Sequence, residues 1–185
     1  MTKFQNKYRI ESTRLQNYDY SRSGLYFVTI CTQNKVSMFG EVINGEMQLN
    51  KYGEIIKSGW LKTPILRPDM KTVFDEYIIM PNHLHGILYF EDEISRGANC
   101  SRGANHCVST KNKFGPQSKN LGSIIRGFKA ACTKQINDKR GTYGTKLWQS
   151  NYYEHIIRNE TGLQHIRQYI RNNPIEWAID EYYNP

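Results

Sequence analysis

Two histidines, His83 and His85, stand two positions apart in the stretch Met80–Leu88, MPNHLHGIL. In a β-strand, residues two apart share one face, so both imidazoles point to the same side and Leu84 points to the other. Leu84 and the apolar residues after it predict that the opposite face is the packed one. Neutral imidazoles on a less packed face are suited to bind a divalent metal. Two ligands do not complete a metal site, so a third is expected from elsewhere in the chain.

A second candidate group lies in the stretch Arg167–Trp177, RQYIRNNPIEW. Helical spacing puts Tyr169 beside the apolar stripe and Asn173 one turn further along the same side. A phenol and a carboxamide would therefore project together from a helix that packs on the sheet. Each residue also has a simpler interpretation: a helical tyrosine commonly reaches water, and an asparagine before Pro174 commonly caps the next helix. Periodicity alone leaves these alternatives open.

The elements that would position these side chains alternate between strands and helices. Residues rich in β-branched and aromatic types predict strands, and Asn44-Gly45 between alternating segments predicts a hairpin turn. Apolar residues at helical spacing predict three helices, of which the first is expected to stop at Pro64. A capping-box pattern at Thr161–Gln164 is expected to open the last helix. The predicted strands are 25–32, the hairpin 36–50, 74–80, 83–90 and a strand region 147–158, and the predicted helices are 52–62, 121–137 and 163–173. This order predicts an α+β protein with a mainly antiparallel sheet.

The length of 185 residues predicts one domain, 25–185, preceded by a basic arm over residues 1–24. A Gly/Ser/Asn-rich stretch at about 91–120 contains the pentamer SRGAN twice and is expected to be a flexible insertion. The net charge of +8 is compatible with nucleic acid or an anionic membrane surface as a partner. No apolar run is long enough to cross a bilayer and the N-terminal stretch lacks a signal-peptide pattern, so a cytoplasmic location is expected.

The chain resembles the HUH-type single-tyrosine transposases, specifically the REP-associated tyrosine transposase group. The resemblance extends from about residue 18 to residue 177. Its specific feature is the occurrence, in this order, of MPNHLHGIL and a later Y-I-x-x-N-P motif. Its matching stretches are YFVTICT, MFGEV, LNKYGEII, DEYIIMPNHLHGIL, LGSIIRGFKAACTKQIN, LWQSNYYEHIIRNE and YIRNNPIEW.

The resemblance implies a single-stranded DNA endonuclease and strand transferase on a ferredoxin-like fold, with a C-terminal catalytic helix. Carried over residue by residue, it gives His83 and His85 as metal ligands, Tyr169 as the nucleophile and Asn173 as the third ligand. Related transposases often have glutamine at the last of these positions. The implied cofactor is Mg²⁺ or Mn²⁺, and the implied intermediate is a 5′-phosphotyrosine. The implied substrates are single-stranded or hairpin DNA, with repetitive palindromic elements expected, and both monomers and homodimers occur in the group.

Arg126 and Lys129 lie on the polar face of the second predicted helix and are expected to contact DNA phosphates. They could instead be an ordinary solvated surface. Two other functions stay open at this point: a DNA-hairpin-binding protein that has lost cleavage, and a metallohydrolase that uses the histidine pair without DNA. The intact histidines and tyrosine disfavour the first. The positive charge, and the lack of acidic ligands beside the histidines, disfavour the second.

Overall fold

The computed structural model describes residue 20 and residues 22–91 and 119–183. The predicted arm at 1–24 and the insertion at about 91–120 lie almost entirely outside the described residues, and both stay predictions. The described elements are β1 (Gly24–Cys31), β2 (Gly40–Ile43), β3 (Glu46–Leu49), α1 (Lys51–Leu66), β4 (Thr72–Ile79), β5 (His83–Phe90), α2 (Leu121–Arg140), β6 (Tyr153–Ile157) and α3 (Glu160–Asn172).

The main sheet has the strand order β4-β5-β1-β6, and every neighbouring pair is antiparallel. Leaving aside the β2–β3 hairpin and the last helix, the chain order is strand, helix, strand, strand, helix, strand. This connectivity and strand order define a ferredoxin-like fold, so the predicted α+β class and antiparallel sheet are confirmed. The predicted hairpin is confirmed too, since Asn44 and Gly45 both have positive φ, as a tight two-residue turn requires.

Side chains of the sheet are packed on both faces. One face, with Tyr26, Leu84 and Leu88, packs against α1 and α2 in the larger core. The other face, with Phe27 and Ile87, packs against α3 in a smaller core. The expectation of a less packed face around the histidines is therefore wrong, because the amphipathic helix α3 folds back over it.

Several predicted boundaries are also wrong. Helix α1 continues past Pro64 to Leu66, because a proline so near the end removes only one hydrogen bond from the helix. The last strand begins at Tyr153, and Trp148 forms only an isolated bridge with Thr32. Helix α3 begins at Glu160, because Asn159 accepts a hydrogen bond from the Gly162 amide and caps the helix. Among the described residues, no helix combines the length and apolarity that crossing a membrane requires.

Candidate functional site

The structure brings together four of the predicted site residues: His83, His85, Tyr169 and Asn173. The Nε2 atoms of His83 and His85 are 2.9 Å apart on β5. The hydroxyl of Tyr169, on α3, lies 3.3 Å from Nε2 of His85. Asn173 follows the last residue of α3 and is buried beside His83. The sheet and the last helix thus place two imidazoles, a phenol and a carboxamide around one point.

Helix α3 holds Tyr169 over the histidines through an apolar stripe and ion pairs. Leu163 and Ile170 are the buried residues of this helix, and they pack in the smaller core. At the polar margin, Arg167 donates to Asp75 of β4 at 2.9 Å through Nε, and Arg171 pairs with Glu76. The ring of Phe27 lies between the elements, with centroids 5.4 Å from His85 and 6.2 Å from Tyr169. These contacts fix the rotation of the helix and hence the direction of the phenol.

The orientation of His83 is set by Asn82. The amide nitrogen of Asn82 donates to the carbonyls of Lys35 and Tyr182, so its Oδ1 faces the imidazole at 2.8 Å from Nδ1. An amide oxygen can only accept, so Nδ1 of His83 carries the proton and Nε2 presents a lone pair. The carbonyls of Lys35 and Tyr182 therefore determine the tautomer of His83 indirectly, because they fix the orientation of the Asn82 amide.

His85 has an equivalent partner in Thr29, which is directly opposite it in the β1–β5 register. The Thr29 hydroxyl lies 2.8 Å from Nδ1 of His85. A hydroxyl both donates and accepts, so this contact permits either tautomer of the ring. With the proton on Nδ1, His85 also presents its Nε2 lone pair, and both imidazoles then offer the same kind of atom to one ligand.

Asp180 joins the site from the segment that follows the short turn Trp177–Ile179. Suitable ligand atoms of His83, His85 and Asp180 all lie within 4.8 Å of one another. Asp180 also accepts a 2.6 Å hydrogen bond from the Asn173 side-chain nitrogen. The Asn173 oxygen is buried and has no hydrogen-bond partner among the described residues. Two imidazole nitrogens, a carboxylate and an unsatisfied amide oxygen form a donor set that suits a divalent cation.

The ionisable groups of the site are shifted toward their neutral forms. Burial lowers the pKa of His83 to about 3, and the neighbouring Asn173 side chain opposes that shift. Burial also lowers the pKa of His85 well below its usual value, and the nearby His83 adds to the effect. Burial raises the pKa of Tyr169, and the carboxylates of Asp180 and Glu181 raise it further. The pocket therefore disfavours both an imidazolium and a phenolate, whereas neutral imidazoles are the form that binds a metal.

Residues after α3 cover the histidines from outside. The ring of Tyr182 lies with its centroid 4.7 Å from that of His83, and Trp177 lies 5.8 Å from the same ring. As a result His83 is fully buried and His85 is 1% exposed, while Tyr169 is 36% exposed. Tyr169 is the most exposed of the site residues, and Asp180 is half-buried.

The two predicted DNA-binding residues are not part of this cluster. Arg126 and Lys129 belong to α2, which packs on the opposite face of the sheet. Arg126 is exposed. The Lys129 ammonium donates to the backbone carbonyls of Gln149 and Asn151, both at 2.9 Å. Lys129 thus fastens the segment before β6 to the helix.

Sequence reasoning missed Asp180, Asn82 and Thr29. Asp180 lies outside any regular element, so no periodicity could place it near the histidines. Asn82 precedes the first histidine, and its chemical role depends on carbonyls from two distant segments. Thr29 lies within a predicted strand, but its position opposite His85 follows from the register between β1 and β5, which spacing alone does not give.

Comparison with known proteins finds two relatives in Haemophilus influenzae, one of them a transposase relative. It is 40% identical over 172 residues to an uncharacterized protein of Haemophilus influenzae, an alignment that covers 93% of this chain and 92% of that protein. It is 26% identical over 170 residues to a proposed REP-associated tyrosine transposase of the same organism, covering 90% of this chain and 80% of the relative. No protein-family model matches the chain.

A solved structure has the same fold. It is a REP-associated tyrosine transposase bound to a REP hairpin, and it is similar to this chain with a TM-score of 0.54 and 17% identity. The alignment covers 92% of this chain and 77% of the transposase. The resemblance to REP-associated tyrosine transposases is therefore confirmed in sequence and in fold. The chain belongs to one family with the Haemophilus influenzae protein to which it is 40% identical, and it is similar in sequence to a REP-associated tyrosine transposase relative and in fold to a solved one.

Proposed function

We propose that the protein is a metal-dependent endonuclease and strand transferase that acts on single-stranded or hairpin DNA through a tyrosyl–DNA intermediate. The observation that carries the proposal is the position of the Tyr169 hydroxyl, 3.3 Å from a histidine whose Nε2 is paired with that of a second histidine. The similarity to REP-associated tyrosine transposases supports the same function.

The donor set of the site fits a divalent metal. His83 and His85 would each contribute Nε2, and the remaining ligands would come from Asn173 and Asp180. The buried Asn173 oxygen without a partner is the observation that favours a bound cation, since such an oxygen is costly unless something positive satisfies it. Mg²⁺ or Mn²⁺ bound there would act as a Lewis acid toward a phosphate oxygen.

The residues of this chain would then transfer a DNA phosphoryl group to Tyr169. The Tyr169 oxygen attacks the phosphorus, and the bond between phosphorus and the 3′ oxygen of the preceding nucleotide breaks. The products are a 5′-phosphotyrosine and a free 3′ hydroxyl, which takes up the proton that the phenol loses. The phosphodiester energy is kept in the covalent intermediate, so rejoining to another 3′ hydroxyl needs no ATP.

Tyr169→Phe is the direct test. Incubation of the wild-type protein with labelled hairpin DNA and Mn²⁺ is expected to give a covalent protein–DNA adduct on a denaturing gel, and Tyr169→Phe is expected to give none. Tyr153→Phe is the matched control, because Tyr153 is an exposed tyrosine whose ring also packs against Phe27. An adduct that persists in Tyr169→Phe would show that another group is the nucleophile.

A second candidate function is hairpin binding without cleavage. The burial of both histidines beneath Tyr182 favours it, because a binding protein has no need to open the site. Tight hairpin binding with no adduct in any divalent metal would support this function instead.

A further inference from the structure

A groove of about 970 Å³ lies on the opposite side of the sheet from the histidines, between α2 and the segment 143–152. Its volume is at the upper end of the range for ligand sites, about 300–1,000 Å³. The helix contributes Arg126, Lys129 and Lys134, and the segment contributes Tyr143 and Lys146. None of these residues is used by the proposed phosphoryl transfer.

The far wall of the groove is held in place by two side chains of α2. Asn137 donates to the Thr145 carbonyl at 2.8 Å, and its backbone carbonyl accepts from the Thr142 amide. Lys129 holds the other end through its bonds to the carbonyls of Gln149 and Asn151. A groove whose wall is fastened at both ends does not have to be ordered when a ligand binds, which lowers the entropic cost of binding.

The lining combines positive charge with aromatic surface. Arg126, Lys134 and Lys146 are exposed cations, while Asp138 is the acidic residue of the lining. Tyr143 is 82% exposed at the groove, and the buried Trp148 contributes to the apolar part of its lining. Cations that can follow a phosphate chain, together with an exposed ring on which a base can stack, are the features that bind single-stranded nucleic acid without sequence choice.

We infer that this groove binds a single-stranded segment of DNA, with a base stacked on Tyr143 and phosphates contacted by Lys134 and Lys146. The inference rests on the proposed function, because a nuclease for hairpins meets unpaired DNA next to the stem. The groove and the site are joined by consecutive residues. Tyr152 lines the groove, and Tyr153, the next residue, lies beside Phe27 on the face of the histidines. A strand that crosses the edge strand β6 would contact the groove first and then approach Tyr169.

Binding is measured with the Tyr169→Phe protein, in which no cleavage of the DNA is expected during the measurement. The probe is a fluorescein-labelled oligothymidylate, and the readout is fluorescence anisotropy. Tyr143→Ala is expected to weaken binding about tenfold, which is within the range for loss of one stacked base. Tyr143→Phe, which keeps the ring, is expected to bind within about twofold of the parent, in line with stacking as the interaction lost in the alanine variant.

The charge contribution is tested through salt dependence. Lys134→Gln and Lys146→Gln are each expected to reduce the slope of log affinity against log salt by about 0.7, the value for one phosphate contact on a single strand. Lys62→Gln is the matched control, since Lys62 is an exposed lysine on α1, outside the groove. Its slope should equal that of the parent.

Three results would overturn the inference. Tyr143→Ala could bind as tightly as the parent, a duplex of the same length could be bound as well and be equally weakened by Tyr143→Ala, or an oligouridylate could be bound more tightly than the DNA. Because the experiment uses protein without the Tyr169 hydroxyl, it can fail while the adduct of the wild type still forms. The groove and the proposed nuclease activity are therefore judged separately.

Discussion

Each histidine of the candidate site is hydrogen-bonded to a different residue, and the two partners differ in how many tautomers of the ring they allow. Asn82 allows one tautomer of His83, whereas Thr29 allows both tautomers of His85. Residues that orient a ligating histidine commonly affect metal affinity tenfold or more. The sequence motif pointed to the histidines because strand geometry alone puts them on one face. It could not point to Asp180, whose place depends on the path of the chain after α3.

The contribution of Asp180 can be measured directly. Asp180→Ala is expected to weaken Mn²⁺ binding by about tenfold or more, because carboxylates are preferred ligands of Mg²⁺ and Mn²⁺. Titration calorimetry of the Tyr169→Phe protein gives the dissociation constant. Glu181→Ala is the control, since Glu181 is an exposed neighbour with the same charge. Equal affinities for the Asp180 and Glu181 variants would assign the third ligand to Asn173 instead.

Periodicity predicts the apolar faces of the helices in this fold well, but it predicts the ends of some helices and strands poorly. Helix α2 has its predicted apolar face, and its ends are fixed by a capping box at Asn120 and by Gly141 in the left-handed region. Helix α3 starts three residues before the predicted position, because its N-cap is Asn159 and not Thr161. The predicted strand region 147–158 is interrupted: Trp148 forms a bridge with Thr32, regular pairing with β1 starts only at Tyr153, and Lys129 binds the carbonyls of Gln149 and Asn151 between them.

Replacing either of two glycines, Gly86 or Gly127, by alanine is expected to change the free energy of unfolding, but in opposite directions. Gly86 lies on β5 under the ring of Trp60, so a Cβ there would press on a fully buried side chain. Gly86→Ala is therefore expected to lower the free energy of unfolding by about 1–3 kcal/mol. Gly127 lies in the exposed face of α2, and no atom of the described residues lies within 4 Å of an added Cβ. Gly127→Ala is expected to raise the free energy of unfolding by about 0.5–1 kcal/mol.

Urea denaturation of the two variants and the parent provides the measurement. Gly86→Ala at or above the parent stability would mean that the Trp60 ring can move aside without cost. A loss of stability in Gly127→Ala would mean that the added methyl group is not accommodated in the open space beside this helix.

The ferredoxin-like strand order gives one sheet two separate faces, one with the histidines and the other with the groove beside α2. The sheet has helices on both sides, with α1 and α2 on one face and α3 on the other. The α+β class could be predicted because each strand and helix has its own periodicity. The burial of the histidines could not, because it arises from tertiary packing of α3 and the residues after it, which no local pattern records.

The stability of the whole molecule should depend on pH through Lys129. Burial lowers the pKa of this ammonium to about 8 from its ordinary 10.5. Between these values the unfolded chain binds a proton that the folded chain has lost, so the free energy of unfolding rises with pH in that window. Buried Cys132, with its pKa raised to about 12, acts in the opposite direction above the ordinary thiol value of 9.0.

The Lys129 contribution is isolated by difference. In urea denaturation, the change in the free energy of unfolding from about pH 7 to about pH 9 should be more positive for wild type than for Lys129→Gln. Lys134→Gln, an exposed lysine on the same helix, should retain the wild-type profile. Identical profiles for wild type and Lys129→Gln would mean that Lys129 keeps its ordinary proton affinity in the folded chain.

The three tryptophans are divided unequally by the sheet. Trp60 and Trp148 belong to the larger core beneath α1 and α2, whereas Trp177 lies with its ring centroid 5.8 Å from that of His83. Paramagnetic ions quench indole emission over short distances. Manganese at the histidines would therefore quench the fluorescence of Trp177. The fluorescence of Trp60 and Trp148, on the other side of the sheet, would report whether the chain stays folded. Trp177 would then be an internal optical probe of manganese binding, with no need for an attached label.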